Sequence, residues 1–259
     1  MNDHFQNSNN SLWQSDTFAA YVNKYGSPEE AAKKVLKNPE RILFPMKEDI
    51  GNLKFKKVAN LMGSVGQKAV ALSLLGADVT VFDLSNSHKI YAQALAAACG
   101  TSIHYEVGNV LDINQAIYGD YFEIAIAEMG IVHYFTDLDV FFRSVYEILR
   151  RDGVFILRDF HPVSTKLISS RGSTAKVRKH KVTGDYFSKE LVEQEVAFSK
   201  YSENTVEEKV MLRKWTLGEI VTSLANTGFI IEKLREEPNY SSESFDAGIP
   251  KTFTVKCRK

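Results

Sequence analysis

Hydrophobic residues run along this chain in two alternating rhythms. Val58–Met62, Ala77–Phe82, Tyr121–Ala127 and Val154–Phe160 are short, mostly apolar runs of strand length, and Ser102–Val107 reads as a further strand. Runs of this kind belong to strands buried on both faces. Between them the apolar residues recur at helical spacing. Gln67–Leu75 is closed by Gly76, and a second helix runs from the Ser85-Asn86-Ser87 cap through Cys99 to Gly100. A third, Asp137–Leu149, opens on an Asp cap. Strand and helix in alternation predict parallel βαβ units and an α/β fold. The chain closes differently. Thr216 caps TLGEIVTSLANTG with Glu219 at the capping-box position and Gly228 past its end. Strands Phe229–Arg235 and Pro250–Arg258 follow, separated by the polar loop Pro238–Ala247.

Two regions stand outside this alternation. Residues 1 to about 11 are rich in Asn and Ser and are expected to be disordered. Helices are expected over Trp13–Tyr25, from Pro28 to about Leu36, and over Glu40–Gly51. These residues, 1–54, read as an N-terminal helical cap on a domain spanning 55–259. Trp13, Phe18 and Tyr21 either wall a pocket or simply pack on one helix face. The second region, 162–215, reads as an inserted lid. Leu191–Phe198 and Glu207–Trp215 alternate like the strands of a ribbon, with a turn at Ser202-Glu203-Asn204. Before them lies a basic run, Lys166–Lys181, which either attracts an anionic substrate or is a solvated loop.

The chemistry gathers at one turn. The run Lys57–Ser85, KVANLMGSVGQKAVALSLLGADVTVFDLS, reads as strand, glycine turn, helix, strand and terminal acid. Small residues at Gly63, Ser64 and Gly66 let a ligand approach the backbone, and the helix beginning near Gly66 offers unpaired N–H groups. Asp83 follows Gly63 by about 20 residues, the offset at which a carboxylate meets ribose hydroxyls. The unit is built for an adenosine-containing ligand; the alternative is a ligand-free turn in which Asp83 caps the next helix.

Composition narrows the class. The chain has 259 residues, 44% hydrophobic, with a formal net charge of +0. Neutrality offers no electrostatic reason for a nucleic-acid partner or an anionic membrane. Cys99 and Cys257 fall in apolar patterns and read as buried thiols of a reducing compartment. No apolar stretch reaches spanning length, and the polar N-terminus lacks a secretory core. The expectation is a cytoplasmic protein with no membrane partner. No metal-ligand spacing, nucleophile elbow or full phosphate loop is present.

The segment Asn60–Gly66 and the acid that follows it resemble motif I of the S-adenosylmethionine (SAM)-dependent methyltransferases of Rossmann-like fold. That family shows an acidic residue followed by G-x-G-x-G. Here Asn60 stands at the acidic position, Met62 and Ser64 at the first two glycines, and Gly66 at the third; Gly63 is an additional glycine. The resemblance extends to Gly108-Asn109-Val110, to Glu128-Met129-Gly130 after the fourth strand, and to the closing strands. It covers roughly 55–161 and 215–259. It implies a seven-stranded, mostly parallel sheet with a C-terminal antiparallel hairpin, and SAM as the cofactor. The implied cofactor residues are Asn60, Leu61, Met62, Gly63, Ser64, Gly66, Asp83, Leu84, Asn109, Val110, Glu128 and Met129. Asn60 would orient the methionyl ammonium and Asn109 would receive the adenine amino group. The implied activity is methyl transfer to a small-molecule acceptor.

Methyl transfer from a sulfonium needs alignment and dryness, with a general base only when the acceptor is protonated. His133 and His161 both follow strand ends at the reactive rim and are the candidates for that base; each could equally be a histidine bonded to backbone. Two other readings stay open. One is a catalytically silent methyltransferase-like binding protein, suggested by Asn60, Met62 and Ser64. The other is a nicotinamide-dependent oxidoreductase, which shares the βαβ unit but needs dinucleotide glycines that are absent.

Overall fold

The computed structural model describes residues 18–169, 181–195, 209–240 and 248–259. The strands are β1 Lys57–Leu61, β2 Asp78–Asp83, β3 His104–Val107, β4 Phe122–Glu128, β5 Leu149–Phe160, β6 Ile168–Ser169, β7 Lys181–Val182, β8 Leu191–Glu195, β9 Lys209–Arg213, β10 Ile230–Glu237 and β11 Thr252–Arg258. Seven of them form one sheet in the order β10-β11-β5-β4-β1-β2-β3. Strands β1 to β5 pair in parallel, and β11 runs antiparallel to both β5 and β10. β1 lies between β2 and β4, so the strand order reverses there. A crevice opens at such a reversal, outside the carboxyl ends of the strands.

The helices are α1 Phe18–Tyr25, α2 Pro28–Lys37, α3 Pro39–Ile42, α4 Lys47–Ile50, α5 Gln67–Leu74, α6 Asn86–Ala98, α7 Gln115–Tyr118, α8 Leu138–Ile148 and α9 Leu217–Thr227. Alternation along the strands divides the core into two. Val58, Val79, Val81, Ile124, Ile126 and Ile156 pack under α1, α2, α5 and α6. Ala59, Leu61, Phe82, Phe122, Phe155 and Phe253 pack under α8 and α9. A parallel strand buried on both faces has no polar side to show, and the apolar runs in the sequence reflect this.

The N-terminal helices are built into the first of these cores. Ala31, Ala32, Val35, Leu43 and Met46 are all buried there. Ser27 and Glu30 close a capping box at the start of α2. The expected helix over Glu40–Gly51 is two short pieces, α3 and α4, split around Pro45, which has no N–H to donate. Phe18 packs against Tyr91 and Tyr21 against His88, with centroid distances of 5.9 and 4.5 Å. Both are thus packed on α6; Trp13 lies outside the described residues.

In the inserted segment, β8 and β9 pair antiparallel from Leu191–Arg213 to Glu195–Lys209. The expected turn at 202–204 and most of the basic run lie outside the described residues. Two further short strands, β6 and β7, pair with each other and were not foreseen. β5 begins five residues earlier than its apolar run, because Leu149–Gly153 joins the sheet through a register shift against β4. Among the described residues no helix is long and apolar enough to cross a membrane.

Candidate functional site

The turn after β1 is held in a left-handed shape. Met62 has φ 50° and Ser64 φ 49°, both in the region that favours glycine, and Gly66 has φ 73°. These are the three positions matched to the glycines of motif I. Two of the three hold left-handed backbone without being glycine. Gly63 is needed for another reason. A Cβ there would stand 2.5 Å from Asn60 Oδ1 and 2.8 Å from Val81 Cγ1. Gly66 must be glycine on both counts, since its Cβ would also meet Ala92 Cβ at 2.6 Å.

Several bonds fix the turn. The Met62 N–H donates to Phe82 O at 2.7 Å, and Tyr105 Oη donates to Ser64 O at 2.8 Å. Burial pushes the Tyr105 phenol upward, so it stays a donor. The Ser64 N–H donates to Asp83 Oδ2 at 3.0 Å. The other oxygen of Asp83 accepts from Ser85 N–H at 3.0 Å and meets His88 Nδ1 at 2.8 Å. Three donors leave about one of the four acceptor positions of a carboxylate free. Asp83 thus offers a sugar one strong acceptor rather than the pair that the sequence suggested. Leu84, half-buried, follows it at the rim.

Asn60 is 3% exposed, and its Oδ1 has no hydrogen-bond partner. A buried carbonyl oxygen left unpaired costs about 1–3 kcal/mol. It lies under the turn, where an ammonium or N–H of a ligand would relieve that cost. Asn109 bonds locally, its Oδ1 accepting from Leu111 N–H at 3.0 Å, which leaves its second lone pair for an adenine. Val110 beside it is buried.

The tip of β4 carries charge. Glu128 is paired to Lys68 Nζ at 2.5 Å and to Arg158 Nη1 at 3.1 Å. Arg158 is buried in β5 and also donates to Glu237 and Thr252. Glu237 binds Arg235, which binds Asp49 of α4. Burial and the neighbouring Arg158 depress Lys68 to about 8. Lys68, Arg158 and Glu237 were not singled out in the sequence. The available signal was a charge set inside an apolar strand, as in VFILRDF.

Met129, with φ 62°, and Gly130, with φ 88°, turn the chain after β4. Asp159 holds this loop. Its carboxylate accepts from the N–H groups of Gly130, Ile131, Val132 and Phe160 at 2.7–2.9 Å. The two histidines then differ. His161 is 2% exposed, with Nε2 on Glu236 Oε1 at 2.7 Å and Nδ1 accepting from Val163 N–H at 3.1 Å. Both of its ring nitrogens are in use. His133 lies against Gly130 and packs on Tyr134, and its nitrogens have no hydrogen bond among the described residues. Burial pushes its pKa down; Asp159 opposes this shift and Lys214 adds to it. It is therefore neutral near pH 7 and able to accept a proton.

A separate groove of about 540 Å³ lies between the N-terminal ends of α8 and α9, beside Arg213 and Trp215. None of the expected cofactor residues lines it. Among the described residues no group of His, Cys, Asp or Glu is arranged to hold a metal.

Residues 62–157 match the model of a methyltransferase domain. No curated protein matches significantly. Solved structures do. A Listeria monocytogenes protein assigned as a SAM-dependent methyltransferase is 22% identical, with a TM-score of 0.65 over 84% of this chain and 97% of its own. A SAM-dependent methyltransferase from Mesorhizobium loti is 21% identical, with a TM-score of 0.61 over 86% of this chain and 100% of its own. Magnesium protoporphyrin IX methyltransferase from Synechocystis PCC 6803, with bound S-adenosylhomocysteine, is 14% identical, with a TM-score of 0.59 over 98% and 99%. Identity this low speaks for the fold, and the domain match adds residues 62–157. The chain therefore carries a methyltransferase domain at residues 62–157, set in the Rossmann-like fold of the SAM-dependent methyltransferases.

Proposed function

We propose that this chain transfers a methyl group from SAM to a small-molecule acceptor. The observation that carries this reading is the turn after β1. Met62 and Ser64 hold left-handed backbone without being glycine, directly above the unpartnered Asn60 Oδ1. Left-handed backbone at such residues costs about 1–2 kcal/mol each. Strain kept at the reversal point of a parallel sheet is the mark of a site that the fold has been shaped to hold.

SAM supplies an electrophilic methyl on a sulfonium. Asp83 would accept from its ribose, Asn109 and the Val110 backbone would meet its adenine, and Asn60 would take its ammonium. Glu128 and Met129 would stand by the sulfonium. His133, neutral and without a hydrogen bond among the described residues, would take the acceptor's proton through a ring nitrogen. His161 would hold the wall of the acceptor space through Glu236. The lid strand β9 would cover that space, since Val210 and Leu212 are buried against the body. The domain division at about residue 54, with a lid over 162–215, belongs to the same proposal.

Release of S-adenosylhomocysteine, measured against a panel of phenols, amines, thiols and carboxylic acids, tests the acceptor class. Turnover with one such compound supports the reading. Turnover only with protein or nucleic acid would refute it.

A further inference from the structure

The family's acid beneath the glycine turn is the neutral Asn60 here, yet a carboxylate stands close by. Asn60 pairs with Ile126 across the β1–β4 ladder and Leu61 pairs with Ala127, so Glu128 comes one residue further along the same tip. Asn60 and Glu128 also share a face of the sheet. Val58, Ile124 and Ile126, spaced from them by two or four residues along the same strands and so on the same face, all belong to the core under α5. Lys68, on the first turn of α5, reaches Glu128 Oε2 at 2.5 Å and donates to Ile42 O at 2.9 Å. The Glu128 side chain is 5% exposed and that of Lys68 30%, so the pair opens on its lysine side. Glu128 keeps Arg158 on its other oxygen and would not be stranded if Lys68 moved.

We propose that Lys68 and Glu128 form a clamp for the α-amino acid end of the cofactor. The ligand carboxylate goes to the Lys68 ammonium, and the ligand ammonium goes to Glu128, with Asn60 Oδ1 as its second acceptor. This rests on the cofactor reading above. A zwitterion presents two charges opposite in sign to the two that face each other here. It can enter between them, exchanging one ion pair for two. Glu128 thereby supplies the negative charge that Asn60 lacks. A ligand with the nucleoside but without the amino acid gains nothing from the pair.

The experiment compares two ligands on the full chain by calorimetry: S-adenosylhomocysteine, and 5′-methylthioadenosine, the nucleoside thioether without the amino acid. The variants are Lys68→Met, Lys68→Arg and Glu128→Gln, each first checked by thermal melting. Lys68→Met is expected to weaken S-adenosylhomocysteine about ten- to hundredfold, as loss of a charge-assisted bond does. It should leave 5′-methylthioadenosine within about twofold. Lys68→Arg should restore most of the loss, and Glu128→Gln should repeat the selective weakening. Equal effects on both ligands, or none on either, overturn the clamp while the cofactor reading stands. Failure of the unsubstituted chain to bind either ligand overturns the cofactor reading and the clamp with it.

Discussion

Ser64 sits at φ 49°, a backbone that glycine adopts without penalty. Replacing it by glycine therefore isolates the strain in the turn. Left-handed backbone costs a non-glycine residue about 1–2 kcal/mol. Against this, glycine loses more freedom on folding, about 0.5–1 kcal/mol. No hydrogen bond of the Ser64 side chain is lost among the described residues; its bonds to Asp83 and Tyr105 are made by the backbone. The net expectation is that Ser64→Gly stabilises the chain by about 0.5–1 kcal/mol. Met62→Gly relieves the same strain but gives up a half-buried side chain packed on the second core, so it should be neutral or destabilising. Gly63→Ala must push a methyl to 2.5 Å from Asn60 Oδ1 and should destabilise by about 1–3 kcal/mol. Urea unfolding of the three variants reads these differences as midpoint shifts at constant slope. Loss of stability in Ser64→Gly, or tolerance of Gly63→Ala, would refute this account of the turn.

Other consequences follow from the same geometry. His133→Ala should lose turnover while keeping its fold, and should lose the acid limb of the kcat profile. Burial lowers the His133 pKa below its ordinary value, so the neutral, active form prevails at pH 7 and is lost as the pH falls below about 6.5 toward the depressed pKa. The same shift makes its contribution to stability complete above about 6.5 and lost on acidification, because the unfolded chain binds the proton first. An acid limb unchanged in His133→Ala would remove that residue from the mechanism. His161→Gln should lower the melting temperature but leave the shape of the kcat–pH profile intact, since both of its nitrogens are already bonded. Asp159→Asn should cost about 2–3 kcal/mol in urea unfolding, because four backbone N–H groups converge on that carboxylate.

The sheet was legible because its strands are buried on both faces. Val58, Ile124 and Ile156 need apolar neighbours on every side, and such runs admit few other readings. Capping chemistry was legible too: Thr216 with Glu219, and Ser85 before α6, bond as their spacing implies. The turn was legible in its register, since positions 62, 64 and 66 share left-handed backbone. What escaped was long-range charge. Lys68 and Glu128 lie sixty residues apart, and only the fold brings their tips together. The roles of His133 and His161 were equally hidden. Both end strands, and the difference between them is Glu236, which reaches His161 from β10. The single free acceptor position on Asp83 depends on His88, five residues on, whose ring turns back from α6 to the carboxylate.

The central claim is that a nucleoside sugar is held between the left-handed turn after β1 and the carboxylate at the tip of β2. A crystal structure of the full chain with S-adenosylhomocysteine tests it most directly. The account predicts a ribose hydroxyl within hydrogen-bonding distance of Asp83 and the sugar resting on the backbone of Gly63 and Ser64. A ligand bound elsewhere, with no contact to Asp83, would contradict it.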